Sequence, residues 1–155
     1  MLLRQDRALT AVAVALDVAF HAGHRGGGLA GAAEVAERLG AARRGLEPVL
    51  QALSRAGLLE SLRGPRGGYR LARRPRDISL LDVVAAVAEG TAEPAEEGGG
   101  GLSGALQAAV VAPLWAELDA GLRERLEALT LEELLRRATA AGLRRPAAEP
   151  LNFAI

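Results

Sequence analysis

Two groups of polar residues lie close together in the chain: Arg43, Arg44, Glu47, Gln51 and Arg55, then the run Arg63-Gly64-Pro65-Arg66-Gly67-Gly68. Arginine offers a fixed positive charge and a planar fork that matches phosphate oxygens or the guanine edge. Glycines at 64, 67 and 68 let a backbone turn tightly and approach a phosphate closely. The chemistry indicated is recognition of a polyanion, against the alternative of a solvated face in a chain whose 19 basic residues are all arginine. No catalytic residue stands out. The two histidines, His21 and His24, are near neighbours, so no Ser-His-Asp arrangement can be singled out. The glycine runs lack the Lys-Ser/Thr ending of a phosphate-binding loop. His21 and His24 could share a metal but lack an obvious third ligand, and we read them as solvated helix-end histidines, with no metal site assigned.

These groups must be carried by elements that the apolar spacing predicts. A first helix over about residues 3–21 places Leu9, Val12, Leu16 and Phe20 on one stripe, and three glycines at 26–28 follow it. A short helix over about residues 29–39 stops at Gly40, and the next periodic segment carries Leu46, Val49, Leu50 and Leu53 up to Gly57. Two helices joined by so tight a turn read as helix-turn-helix. Arg43, Arg44, Glu47, Gln51 and Arg55 fall at the start or on the exposed side of the second one. Pro48 interrupts it and predicts an irregular start. From Leu58 the pattern becomes extended, turn, extended, a β-hairpin with Arg63 and Arg66 flanking its turn. A helix-turn-helix followed by such a hairpin is a winged helix-turn-helix, whose second helix enters the major groove of DNA while the wing reaches the minor groove or backbone.

Further on, Ser79 with Asp82 and Thr130 with Glu133 are spaced as capping boxes for two more helices. Between them, 89–101 is a polar loop containing Glu93, Glu96 and Glu97, either a connector or a weak cation site. A long helix over about 102–129 carries Val111, Trp115, Leu118, Leu122, Leu126 and Leu129 at spacings of three and four, close to a coiled-coil seam. Pro113 means that the helix begins near there or kinks. The seam either joins two copies or packs back onto its own domain. Two copies are the reading we adopt, because so small a domain leaves little surface to cover so long a helix.

Composition agrees with a mainly α fold: half of the 155 residues are hydrophobic but only 3% are aromatic, so alanine, leucine and valine must fill the core. The absence of cysteine excludes a disulfide scaffold, a cysteine nucleophile and thiolate ligation of zinc or an iron-sulfur cluster. Formal neutrality conceals an asymmetry. Residues 1–76 hold 13 arginines against six acids, a net of +7, and residues 77–155 hold six arginines against 13 acids, a net of −7. A basic half is what a polyanion partner needs. Arg4 and Arg7 ahead of an apolar stretch imitate a secretory signal, but Asp17 breaks it, and nothing approaches about 18 uninterrupted apolar residues. The expected location is the cytoplasm, with no membrane partner.

The run Arg63-Gly64-Pro65-Arg66-Gly67-Gly68-Tyr69-Arg70-Leu71 carries a family resemblance, together with Ala15-Leu16-Asp17-Val18-Ala19, Ala36-Glu37-Arg38, Leu46-Glu47, Ile78-Ser79-Leu80-Leu81-Asp82-Val83 and the Trp115 helix ending in Leu129-Thr130-Leu131. Over about residues 1–138 the chain resembles the Rrf2 family of bacterial transcriptional regulators, which includes iron-sulfur-assembly, nitric-oxide-sensing and cysteine-metabolism repressors. The resemblance implies a homodimer joined through the long helix, reading a pseudo-palindromic operator and usually repressing. By position, Glu47 matches an acidic residue that helps read bases and Arg63 a wing arginine directed at the minor groove. Gly45 departs from a frequent aromatic and Ala42 from a serine. Members that bind a cluster carry three cysteines in the loop and at the start of the long helix. The last of these falls at Ala109 here, and a nearby histidine position is Ala112, so the chain resembles the cluster-free branch and no cofactor is expected.

The expected architecture is therefore a winged helix-turn-helix domain of three helices and a β-hairpin (1–76), a short helix with an acidic Gly-rich loop (77–101), dimerisation helices (102–142) and a C-terminal tail (143–155). The DNA-binding residues are Arg43, Arg44, Glu47, Gln51, Arg55, Arg63, Gly64, Arg66 and Gly67. The dimer interface is Val111, Trp115, Leu118, Leu122, Leu126 and Leu129. Partners are double-stranded DNA and a second copy, with a small-molecule or protein effector open. The competing reading is a winged-helix-shaped module that binds a partner protein instead of an operator.

Overall fold

The computed structural model describes residues 5–88 and 103–146. The expectations for residues 1–4, for the acidic loop 89–101 with Glu93, Glu96 and Glu97, and for the apolar tip at 151–155 lie outside them. In chain order the elements are α1 (Gln5–His21), α2 (Ala32–Leu39), α3 (Arg43–Arg55), β1 (Leu59–Leu62), β2 (Gly68–Leu71), a 3-10 turn at Pro75–Asp77, α4 (Leu80–Ala88), a π-helical segment at Gln107–Val111, α5 (Ala112–Ala128) and α6 (Leu131–Ala140).

The central element is α1, which packs against α2, α3, α4, α6 and β2. Its buried face differs from the leucine stripe that spacing suggests. Ala8, Ala11, Val14, Ala15, Val18, Ala19 and Ala22 are buried, while Val12, Leu16 and Phe20 are only partly covered and Leu9 is 68% exposed. Small side chains face inward because a helix touched by five neighbours must let their backbones come close. Around it, Leu46, Leu50 and Leu53 of α3, Leu71 of β2, Ile78, Val83 of α4 and Leu131 of α6 are essentially inaccessible.

One polar group enters this core. Asp17 of α1 is buried and receives a fork from Arg38 of α2, with Nε 3.0 Å from Oδ1 and Nη2 2.8 Å from Oδ2. His21 Nδ1 lies 2.9 Å from the Asp17 carbonyl oxygen and must carry the proton, because that oxygen can only accept. Hydrogen bonding to Asp17, with the attraction of that carboxylate, raises the Arg38 guanidinium above its ordinary value against the opposing effect of burial. The pair fixes how α2, the first helix of the helix-turn-helix, docks on α1.

The expected helix over 29–39 begins later, at Ala32. Ala30 is extended and exchanges two hydrogen bonds with Tyr69, N–H to O at 2.9 and 2.8 Å, and the Leu71 N–H reaches the Gly23 carbonyl at 2.8 Å. The glycines at 26–28 free this segment to lie along β2, which makes it a third edge of the wing. The hairpin itself pairs antiparallel from Leu59 opposite Leu71 to Leu62 opposite Gly68. The N-terminal side of α4 carries the reciprocal capping box, Ser79 N–H to Asp82 Oδ2 at 2.9 Å and Asp82 N–H to Ser79 Oγ at 3.1 Å. Only half of the second box forms: Thr130 Oγ1 accepts from the Glu133 N–H at 3.3 Å, but the Glu133 carboxylate turns to Arg136 and Arg137.

The long helix also departs from expectation. Residues 107–111 are wound as a π-helix, in which the Ala112 N–H bonds the Gln107 carbonyl, before regular α-helix starts at Ala112. Pro113 has no N–H to give to the preceding turn, and a widened turn ahead of it absorbs that loss without a break. Finally, α6 belongs to the winged core, with Leu131 and Leu135 buried there. The Leu80 N–H bonds the Leu129 carbonyl and the Leu131 N–H bonds that of Ile78. Elements on both sides of residue 76 thus share one core, with α4 and α6 packed on α1.

Candidate nucleic-acid interface

The recognition helix α3 buries Leu46, Val49, Leu50 and Leu53 and turns its other side outward. It follows α2 through Gly40, whose φ of 62° makes the left-handed turn, and opens with a tight bond from the Gly45 N–H to the Ala42 carbonyl at 3.0 Å. Pro48 lies inside one continuous helix, so the predicted irregularity is confined to a hydrogen bond that residue 48 cannot donate.

In the wing, Gly64 has φ 124°, and the Gly67 N–H bonds the Gly64 carbonyl at 2.9 Å, closing a β-turn with Pro65 and Arg66 at its centre. A Cβ on Gly67 would meet the Leu62 carbonyl oxygen at 2.3 Å, and one on Gly68 would meet that of Ala30 at 2.8 Å. The turn therefore needs both glycines bare, and it holds Arg66 at its tip and Arg63 at its flank.

Between α3 and the wing lies an open groove of about 450 Å³. It brings together Arg43, Glu47, Gln51, Arg63, Gly64 and Gly67 from the expected set, and adds Ala32, Ser61, Leu62 and Tyr69. Tyr69 is the addition that the sequence could have supplied, because it lies within the wing motif. Arg44 near the start of α3, Arg55 at its end and Arg66 in the wing turn lie outside the lining.

The charges on this surface are disposed for an outside partner. Arg43 and Glu47 pair with each other, Nε to Oε1 at 3.4 Å, and both stay largely exposed. Across the two strands of the wing, Arg70 and Glu60 pair at 2.8 Å, and the Arg70 guanidinium holds the Glu60 carboxyl below the ordinary carboxylate range. By contrast Arg44, Arg55, Arg63 and Arg66 are exposed and make no ion pair among the described residues. Exposed guanidinium groups carried on the recognition helix and on the wing suit phosphates flanking a base edge.

Comparison with known proteins decides the assignment. Residues 8–137 match the Rrf2 family model, described as an iron-dependent transcriptional regulator. The chain belongs to the Rrf2 family. It is similar to the HTH-type transcriptional regulator IscR of Aliivibrio salmonicida, 35% identical over 125 residues, covering 81% of this chain and 72% of that one. The IscR of Photobacterium profundum is 36% identical over 126 residues, covering 81% and 71%. Among solved structures, IscR of T. potens matches with TM-score 0.69 and 29% identity over 90% of each chain. CymR, the global cysteine regulator of B. subtilis, shares the fold with TM-score 0.67 at 24% identity, over 88% of this chain and 98% of its own. This Rrf2 chain is thus a DNA-binding transcriptional regulator with the winged-helix fold, and its family relatives are regulators rather than enzymes.

The family description raises iron, and the residues of this chain do not fit a thiolate-held iron-sulfur cluster. No cysteine exists anywhere in the sequence, and among the described residues no three or more His, Asp or Glu side chains are gathered as a metal site. Residues 98–116, which include Ala109 and Ala112, contain no ionisable side chain. An iron-sulfur cluster needs soft thiolate ligands.

The expected interface residues divide. Val111, Trp115 and Leu118 are exposed, Leu122 is partly covered, and Leu126 and Leu129 pack against the molecule's own core. No helix among the described residues is long and apolar enough to cross a membrane.

Proposed function

We propose that this protein is a homodimeric repressor that binds a pseudo-palindromic operator without an iron-sulfur cluster. Each copy inserts α3 into a major groove, with Arg43, Glu47 and Gln51 facing base edges, and lays the wing with Arg63 and Arg66 against the adjacent minor groove or backbone. Arg44 and Arg55 meet phosphates. The observation that carries this reading is the groove between α3 and the wing, lined by Arg43, Glu47 and Gln51 and by Arg63, an exposed arginine that makes no ion pair among the described residues.

Two copies are required because one winged domain reads only a half-site, and a two-fold axis repeats it one helical turn away. The absence of thiolate ligands supports the cluster-free part of the reading. The test is selection of bound fragments from random duplex DNA by the purified protein, with light scattering on the same sample. A palindromic motif recovered by a dimer is the expected result. A folded protein that enriches no sequence at low salt refutes it and favours the reading as a protein-binding module.

A further inference from the structure

The two strands of the wing use their polar side chains differently. Glu60 stands opposite Arg70, and the two satisfy each other at 2.8 Å without lining the groove beside α3. The next pair is Ser61 opposite Tyr69, and both of these residues line that groove. Neither of their hydroxyls hydrogen-bonds another described residue. Directly opposed residues of an antiparallel pair carry their Cβ atoms about 5 Å apart on one face, so the two hydroxyls belong to one wall of the groove. The wall is stiff, because Tyr69 packs against the core and its main chain exchanges two hydrogen bonds with Ala30. Donors held in this way lose little freedom on meeting an acceptor.

A hydroxyl can donate to a base edge or to a phosphate, and the position of this pair decides between them. An element in the major groove and another in the adjacent minor groove are separated by one sugar-phosphate strand. With α3 and the wing so placed, that strand runs along the groove between them, past Ser61 and Tyr69. The lining favours an anion: Arg43 and Arg63 outnumber Glu47, whose carboxylate Arg43 already holds at 3.4 Å. We propose that the Ser61 and Tyr69 hydroxyls donate to one phosphate of this strand, setting the depth of the wing independently of base sequence. This deepens the operator reading above and rests on it. It adds two contacts that carry no charge, so their contribution is separable from that of the arginines, which displace counterions from the duplex.

The experiment titrates the full chain onto the duplex it selects and onto an unrelated duplex at low salt. Tyr69→Phe keeps the ring and Ser61→Ala keeps the strand, so the thermal midpoint should not move. Each variant should bind both duplexes about tenfold more weakly, with an unchanged slope against salt, because no charge is lost. Phosphates are then replaced one at a time by an uncharged methylphosphonate. A single position in each half-site should emerge at which the parent weakens and at which parent and Tyr69→Phe bind alike. Hydroxyl variants that bind like the parent overturn the proposal, as does a Tyr69→Phe loss that persists at every substituted position. Inorganic phosphate is a second source of the same chemistry. Exchanging chloride for it at constant ionic strength should leave the parent's affinity unchanged. A fall that Ser61→Ala and Tyr69→Phe abolish would give the site to the free ion and overturn the proposal. A parent that binds neither duplex refutes the operator reading itself, whereas binding that ignores both hydroxyls refutes only this contact.

Discussion

Two charged positions in the molecule serve opposite purposes. Asp17 and Arg38 satisfy each other in the interior, whereas Arg63 is left free at the surface. Asp17→Ala or Arg38→Ala removes one member of a pair whose carboxylate is only 7% exposed and whose guanidinium is 29% exposed. Breaking a fully buried pair costs several kcal/mol, and the partial exposure of Arg38 reduces this to about 1–3 kcal/mol, read as a lower denaturation midpoint. Arg38→Ala is the more damaging, since it strands the buried charge. Arg63→Ala should leave the midpoint unchanged and weaken operator binding by about 1–3 kcal/mol if the fork reads a base, measured by anisotropy on a selected duplex. An unchanged affinity would remove the wing from the recognition scheme. The sequence displays these residues unequally. Arg63 is visible in a glycine-rich turn, and Asp17 as a charge interrupting an apolar stretch, but its partner lies 21 residues away and is chosen only when two helices dock.

Among the elements, α3 poses the clearest question, since it carries a proline in its interior. Pro48→Ala restores a donor to the Arg44 carbonyl and should raise stability by about 1–2 kcal/mol, less than the full helix-interior difference because proline also restricts the unfolded chain. Thermal unfolding checks this, and a fall in stability would mean that the ring packs against something the helix needs. Helix-turn-helix, hairpin and the Ser79 cap were all legible from apolar spacing and turn residues. Three element-scale features were not. The segment before α2 pairs with β2 instead of coiling, because a backbone partner 39 residues away outweighs local propensity. The alanine face of α1 is buried over its leucines because it is crowded by five neighbours. The π-helical turn reflects an adjustment to Pro113 that no residue pattern announces. The recognition groove was legible where it consists of α3 and wing-tip residues, and not where Ala32 and Ser61 complete it.

At the scale of the whole molecule the charge asymmetry and the apolar helix act together. If four unpaired arginines per copy meet the duplex, operator affinity should fall by roughly a thousandfold or more between about 50 and 200 mM salt. Binding to a protein partner through an apolar face would be nearly indifferent to the same change, so a flat salt response would count against DNA as the partner. Self-association through Val111, Trp115 and Leu118, by contrast, should survive high salt, because these exposed side chains carry no charge to screen. The chain's single tryptophan, Trp115, sits half exposed among these expected interface side chains. Its indole ring is therefore a native optical gauge of pairing: emission shifts to shorter wavelengths as water leaves the ring, and dilution returns it. No dye or tag is needed to follow the protein from one copy to two.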